Sequence, residues 1–144
     1  MLLKIVIIED EPDTAEMYAE MMRISGYEVV KYYGGLSAVA HLGDQDTDAV
    51  ILDLMMPDLS GLEVLNYIKE KPDLSDLPVI IVSAKTMPED VEKGLRAGAV
   101  AYLTKPVSFA DLRVAITMQF QIRQKNWGLV NGSYPCFYCN KFIG

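Results

Sequence analysis

The sequence lacks the features that mark secreted and membrane proteins. Its two cysteines, Cys136 and Cys139, both lie near its end, so a disulfide framework for the main body is excluded. No apolar run approaches the about 18 residues that a membrane-spanning helix requires. The apolar start leads straight into acidic residues, without the cleavage region of a signal peptide. We therefore expect a cytoplasmic protein that does not enter a membrane.

Basic residues are also few. Thirteen lysines and arginines stand against twenty aspartates and glutamates, which gives a net charge of −7. A surface of this sign repels nucleic acid phosphates, so we expect no direct nucleic acid binding by this chain. The length of 144 residues, about half of them apolar, suits one globular domain with a substantial core.

Short apolar runs alternate with segments of helical periodicity. The predicted strands are residues 3–8, 28–32, 49–52, 79–82 and 101–103. The predicted helices are residues 14–25, 36–42, 62–69 and 88–97, followed by a last helix after Ser108. We expect Asp13 to cap the first helix, and Ser108 and Asp111 to form the capping pattern of the last. Alternating strands and helices predict an α/β fold, a doubly wound five-stranded parallel sheet with helices on both faces.

The composition changes near Gln124, so we divide the chain into a domain at 1–123 and a C-terminal tail at 124–144. The tail carries the C-x-x-C pattern of Cys136 and Cys139, which is half of a four-ligand zinc site, and the only histidine, His41, lies in the domain. A linker or the start of an output domain is the favoured interpretation of the tail. Zinc shared across a dimer and redox chemistry are the less favoured ones.

Polar residues follow four of the predicted strands: Glu9 and Asp10 after the first, Asp53 after the third, Ser83 after the fourth and Lys105 after the fifth. Ligands of doubly wound sheets bind beyond the carboxyl ends of the strands, so we expect these side chains to meet. Crowded carboxylates favour a hard cation such as Mg²⁺, while an ammonium and a hydroxyl suit phosphoryl oxygens. Each residue alone is commoner as a loop residue or a helix cap, but together they indicate phosphoryl transfer onto a carboxylate.

From about residue 3 to about residue 123, the chain resembles the receiver domain of response regulators. The resemblance rests on four motifs in order: Glu9-Asp10, the segment 50–61 (VILDLMMPDLSG), Ser83-Ala84 and Lys105-Pro106. It implies a flavodoxin-like sheet in the order 2-1-3-4-5. One departure is mild, because Glu9 stands where the family more often has aspartate.

The resemblance also implies roles around the phosphoacceptor. Asp53 would accept the phosphoryl group, with Mg²⁺ as the cofactor. Asp10 would be a direct ligand of the metal, Glu9 would reach it through water, and the backbone carbonyl of Met55 would supply a third ligand. Gly61 would shape the turn into the third helix.

Further implied roles concern the switch. Ser83 would bond a phosphoryl oxygen and move toward it, Lys105 would pair with the phosphoryl group, and the Lys105–Pro106 peptide bond would be cis. Tyr102 would follow Ser83 from an exposed to a buried orientation. This movement would alter the face formed by the fourth helix, fifth strand and fifth helix.

The implied phosphoryl donor is a sensor histidine kinase or a phosphotransfer protein, and the switching face would meet a partner or form a homodimer. We expect a phosphoacceptor rather than an enzyme, with at most self-phosphorylation from small donors and loss of its own phosphoryl group. One alternative is a receiver-like dimerisation scaffold that is never phosphorylated. A haloacid-dehalogenase-like phosphatase fits less well, because that chemistry needs a second acid where Met55 stands.

Overall fold

Five parallel strands form the centre of the fold. They are Lys4–Ile8 (β1), Glu28–Tyr32 (β2), Ala49–Leu52 (β3), Val79–Ser83 (β4) and Ala101–Thr104 (β5). The computed structural model, which describes residues 2–125, pairs them in the order β2-β1-β3-β4-β5. The predicted fold class and strand order are therefore confirmed.

Five α-helices connect and follow the strands. They are Pro12–Ile24 (α1), Gly35–His41 (α2), Gly61–Glu70 (α3), Pro88–Arg96 (α4) and Phe109–Lys125 (α5), and a short 3₁₀ turn, Leu42–Asp44, follows α2. Right-handed crossovers place α1 on one face of the sheet and α2, α3 and α4 on the other. Contacts between α1 and α5, and between α2 and α3, agree with this division. Among the described residues, no helix is both long and apolar enough to cross a membrane.

The strand sequences explain which strands are central. Strands β3 and β4 are buried along their whole length, and β1 is buried from Ile5 onward. Apart from Lys4 and Ser83, their sequences consist of valine, isoleucine, leucine and alanine, as expected when helices cover both faces of a parallel sheet. Strand β2 lies at the edge and is only partly buried. The apolar runs therefore form the central strands of the sheet. The polar residues that follow these strands lie together at their carboxyl ends.

The start of α1 corrects one prediction. Glu11, and not Asp13, is the capping residue, since its side chain accepts a hydrogen bond from the Asp13 backbone N–H at 3.4 Å. Pro12 occupies the first turn, where its fixed φ and missing N–H cost nothing. Asp13 then lies inside the first turn, where its negative charge interacts favourably with the positive end of the helix dipole. Asp13 was the wrong choice because Pro12 begins the helix two residues before the predicted start.

At the other end of the domain, α5 continues to Lys125, two residues past the predicted boundary at 123. Ser108 caps this helix, because its hydroxyl oxygen accepts the Asp111 backbone N–H at 3.1 Å. Residues 126–144, with Cys136 and Cys139, lie outside the described residues. The interpretation of the tail therefore stays a prediction.

Gly61 begins α3 at a point where two backbones nearly touch. Its N–H donates to the Leu54 carbonyl at 3.0 Å, and a Cβ at this position would lie 2.2 Å from the Asp53 carbonyl oxygen. Ser60 and Glu63 hold the same helix start in a reciprocal capping box. The need for glycine here therefore comes from lack of space beside the backbone of Asp53.

Replacing Gly61 with alanine should destabilise the protein. The added methyl group cannot fit without moving the backbone of Asp53 and Leu54, and overpacking of this kind costs about 1–3 kcal/mol. Urea unfolding should show this loss for Gly61→Ala. The matched control is Gly43→Ala, whose Cβ would meet nothing within 4 Å. If both variants unfold at the same urea concentration, the close approach at Gly61 does not constrain the fold.

Candidate functional site

Backbone hydrogen bonds carry the sheet one residue past its strand ends and fix the residues that follow. The N–H of Asp53 donates to the Ile8 carbonyl at 3.0 Å, and the N–H of Lys105 donates to the Ser83 carbonyl at 2.8 Å. The Glu9 N–H bonds in the same way across to β2, at 3.1 Å from the Tyr32 carbonyl. These side chains are therefore positioned by the rigid sheet rather than by free loops.

Three acids meet at this edge, as the sequence predicted. Glu9 and Asp53 are 1% and 4% exposed, Asp10 is partly buried, and one carboxylate oxygen of each lies within 4.8 Å of the others. Burial raises the pKa of Asp10, and the hydrogen bond and negative charge of Glu9 raise it further. Clustered carboxylate oxygens are the donors that Mg²⁺ prefers. The residues present therefore fit a magnesium ion.

Lys105 supplies the positive charge inside this cluster. Its ammonium nitrogen lies 2.7 Å from Glu9 Oε1 and 3.6 Å from Asp53 Oδ1. Burial alone would lower the pKa of Lys105, but the hydrogen bond to Glu9 and the charges of Asp53 and Glu9 outweigh it, so the pKa is raised. The lysine thus stays protonated, hydrogen-bonded to Glu9 and in looser electrostatic contact with Asp53.

Backbone N–H groups complete the surroundings of the acids. Met55 N–H donates to Asp53 Oδ1, and Glu11 N–H donates to Glu9 Oε2, each at 3.3 Å. The first contact brings the backbone of Met55 beside the carboxylate of Asp53, while the Met55 side chain is exposed. The peptide bond that follows Lys105, to Pro106, is cis.

A chain of hydrogen bonds leads from Ser83 to Tyr102 through one loop residue. The Lys85 N–H donates to the Ser83 hydroxyl oxygen at 3.1 Å, and the Tyr102 hydroxyl donates to the Lys85 carbonyl at 2.8 Å. Ser83 and Tyr102 are both fully buried, and burial raises the pKa of Tyr102. Of the two orientations that the resemblance implies for Tyr102, this structure has the buried one.

Gly94 makes room for the ring of Tyr102 and was missed by the sequence analysis. A Cβ at Gly94 would lie 2.9 Å from Ile81 Cδ1 and 3.0 Å from Tyr102 Cδ2. The absence of a side chain lets α4 pack closely against β4 and β5. A glycine inside a helical pattern is a signal, but its partner across the sheet cannot be read from the sequence.

Asp58 was also missed, although it lies in the motif around Asp53. Its carboxylate accepts the N–H groups of Gly35, Leu36 and Leu59 at 3.1, 3.0 and 2.8 Å. The Leu36 bond, followed by those of Gly35 and Leu59, lowers the pKa of Asp58 despite partial desolvation. Asp58 therefore ties the loop after Asp53 to the start of α2. The Pro57-Asp58 pair indicates a turn, but not this distant partner.

Comparisons with known proteins place this geometry in a family. The family profile described as the response regulator receiver domain matches residues 5–117. The chain is 39% identical over 109 residues to a protein named probable transcriptional regulatory protein TcrX from Mycobacterium tuberculosis, covering 75% of this chain and 45% of that protein. The chain thus spans less than half the length of that relative.

Shorter relatives and solved structures agree with this family. The polar-differentiation response regulator DivK of Brucella ovis is 32% identical over 108 residues, covering 75% of this chain and 88% of that protein. The signal receiver domain of a signal transduction histidine kinase from Syntrophus aciditrophicus is 30% identical, with a TM-score of 0.78, and the match covers 85% of this chain and 92% of that structure. The likeness therefore extends over nearly the whole described domain.

The close contact at Gly94 gives a prediction. Replacing Gly94 with alanine should destabilise the protein by about 1–2 kcal/mol, because the methyl group must displace the Tyr102 ring even though alanine favours a helix. Chemical unfolding should show a smaller loss when the same change is made in a Tyr102→Ala background, where the ring is gone. Equal losses in the two backgrounds would mean that the ring does not limit the space at Gly94.

Proposed function

This chain belongs to the response regulator receiver family, and on that premise we propose that it is a phosphoacceptor switch of two-component signalling with Asp53 as the acceptor. One observation carries the proposal. The carboxylate of Asp53 is almost fully buried at the end of β3, beside Glu9, Asp10 and the Lys105 ammonium. A buried acid beside other carboxylates, which can bind a metal ion, and beside a lysine ammonium suits phosphoryl transfer better than it suits a structural role.

In the proposed transfer, a carboxylate oxygen of Asp53 attacks the phosphorus atom of a phosphohistidine on a sensor histidine kinase or phosphotransfer protein. A phosphorus–oxygen bond forms and the phosphorus–nitrogen bond breaks. The leaving imidazole nitrogen keeps the electron pair and takes up a proton from solvent. The product is an acyl phosphate on Asp53, and no oxidant, reductant or further reactant is needed.

The neighbouring residues would compensate the negative charge of the incoming phosphoryl group. Lys105 would pair with one phosphoryl oxygen, and the Ser83 hydroxyl would donate a hydrogen bond to another. Asp10, Asp53 and the backbone carbonyl of Met55 would hold Mg²⁺, with Glu9 acting through water. When bound, the ion neutralises negative charge on the phosphoryl oxygens and the acids around them.

Switching would begin with a movement of Ser83 toward the phosphoryl group, to which its hydroxyl would donate. The Ser83 hydroxyl oxygen also accepts the Lys85 N–H, so this movement would pull on the loop at Lys85. Because the Lys85 carbonyl also holds the Tyr102 hydroxyl, movement of this loop reaches the face formed by α4, β5 and α5. A ligand shifts an equilibrium only through such differential contacts. This face would then bind an output partner or a second copy of the chain.

Intact mass spectrometry tests the acceptor. After incubation with Mg²⁺ and acetyl phosphate, the wild-type chain should gain one phosphoryl group that hydroxylamine removes, as expected for an acyl phosphate. Asp53→Asn should gain none. Asp73→Asn removes an exposed acid elsewhere and should be modified like the wild type.

Two results would contradict the proposal. A wild-type chain that gains no phosphoryl group would favour the dimerisation scaffold, in which the receiver fold is used without phosphorylation. A hydroxylamine-labile group that persists in Asp53→Asn would move the acceptor to another acid.

A further inference from the structure

A groove lies at the amino-terminal edge of the sheet, opposite the acidic cluster. It is formed by the start of β1, the loop before β3 and the end of α3 with the segment that follows, and its volume is about 1110 Å³. Pockets for small ligands typically measure about 300–1,000 Å³. The apolar part of the lining consists of Leu2, Leu3, Tyr67, Leu74 and Leu77. The groove is therefore large enough for several side chains of a peptide segment.

Two features of this edge lack a partner. The hydroxyl oxygen of Thr47, which lines the groove, is buried and has no hydrogen-bond partner within the described residues. A buried polar group that is left unpaired costs about 1–3 kcal/mol. The two most exposed large apolar side chains of the described part of the chain, Ile24 and Leu2, also lie at this edge, and they are 71% and 62% exposed. The edge therefore lacks both an apolar cover and a partner for a hydroxyl group.

Helix α5 brings the rest of the chain to the same edge. Tyr27, one residue before β2, lies 5.6 Å from Phe120 between ring centroids, and its hydroxyl oxygen lies 3.4 Å from that of Thr117. The helix then continues to Lys125. An extended chain spans about 3.3 Å per residue, whereas neighbouring strands lie only about 4.8 Å apart. Residues 126–144 are therefore long enough to cross from α5 to the groove.

The composition of residues 126–144 complements the groove. Their one charged side chain is Lys141, and their aromatic residues are Trp127, Tyr134, Phe137, Tyr138 and Phe142. Each aromatic side chain has about 150–250 Å² of surface to bury. Acids outnumber bases in the lining of the groove, with Glu28, Asp46, Asp48 and Asp73 against Lys4 and Lys71. An apolar segment with a single positive charge therefore matches a partly apolar groove with a negative lining.

We propose that residues 126–144 fold back across the amino-terminal edge of the sheet and occupy this groove. The aromatic side chains cover Leu2, Leu3 and Leu74, and the backbone of the segment supplies a hydrogen-bond partner for Thr47. The segment is then a part of the domain rather than a free linker. This inference goes beyond the proposed function, because it concerns the edge of the sheet opposite the acceptor.

The cysteines of the segment allow a specific label to be attached. Because Cys136 and Cys139 are the two cysteines of the chain, a nitroxide spin label bound to a thiol reports on this segment alone. The full chain is prepared as Cys136→Ser and as Cys139→Ser, and the remaining cysteine of each variant is labelled. Thermal unfolding of the labelled variants verifies that each is folded.

Amide NMR of the labelled chain tests where the segment lies. The signals of Leu3, Thr47 and Leu74 should broaden, and reduction of the nitroxide with ascorbate should restore them. The signal of Met55, at the opposite edge of the sheet, should stay sharp. If the three groove signals stay sharp, or if Met55 broadens equally, the segment does not occupy the groove and the inference is wrong.

Mixed samples distinguish the chain's own segment from that of a second copy. In the first sample, the isotope-labelled chain carries the nitroxide and is diluted with unlabelled chain, and broadening at the groove should persist. In the second, an isotope-labelled chain without cysteines is mixed with a spin-labelled chain of natural isotope abundance, and no broadening should appear. Broadening in the second sample alone would assign the groove to a second copy and overturn the inference.

The single tryptophan, Trp127, gives an independent measurement. If the segment covers the groove, Leu74→Ser should expose Trp127, so that its emission shifts to longer wavelength and acrylamide quenches it more strongly. Leu2→Ser removes a side chain that is already 62% exposed and should act in the same direction in a folded domain. The matched control is Leu36→Ser, 57% exposed at the opposite edge, which should leave Trp127 unchanged. Equal responses to Leu2→Ser and Leu36→Ser in folded chains would contradict the inference.

Discussion

The arrangement depends on one electrostatic constraint, the crowding of three carboxylates at the end of a buried parallel sheet. Glu9, Asp10 and Asp53 approach within 4.8 Å of one another, and Lys105 is the cation held among them. Taking like charges out of water is costly unless a cation stays close. The apolar strands β1, β3 and β4 provide the stability that makes this crowding tolerable, and their ladder hydrogen bonds hold Asp53 and Lys105 in place. The same crowding is what would favour a bound cation at the site.

A second feature is the route by which the proposed switch would reach a distant face. The link runs through close contacts, from the Ser83 hydroxyl to the backbone of Lys85 and on to the ring of Tyr102, which lies against Gly94. Packed contacts of this kind shift between discrete arrangements rather than deform gradually. Asp58 forms a comparable link in another direction, from the loop after Asp53 to the start of α2. The site is therefore connected to two surfaces by short, specific bonds.

The sequence predicted those features that depend on local pattern. Apolar runs and helical periodicity located every strand and helix within about two residues, and residues at strand ends located the acids and Lys105. Side-chain contacts between residues far apart in the sequence could not be predicted. Nothing in the sequence indicates that Lys105 bonds Glu9 more closely than Asp53, or that Gly94 faces a tyrosine ring. The wrong cap at Asp13 has a local cause, since Pro12 moved the helix start, and the Ser60–Glu63 capping box was visible in the sequence but overlooked.

Amide NMR of the full chain with Mg²⁺ and beryllofluoride, which substitutes for the phosphoryl group, tests most directly whether the acidic edge controls the α4–β5–α5 face. We expect signals to change at Asp53 and Ser83 and also at Lys85, Tyr102 and Gly94, which lie along the hydrogen-bonded and packed route. Changes confined to Asp53 and its immediate neighbours, with Tyr102 and α4 unaffected, would contradict it. In that case the site would bind the phosphoryl group without operating a switch.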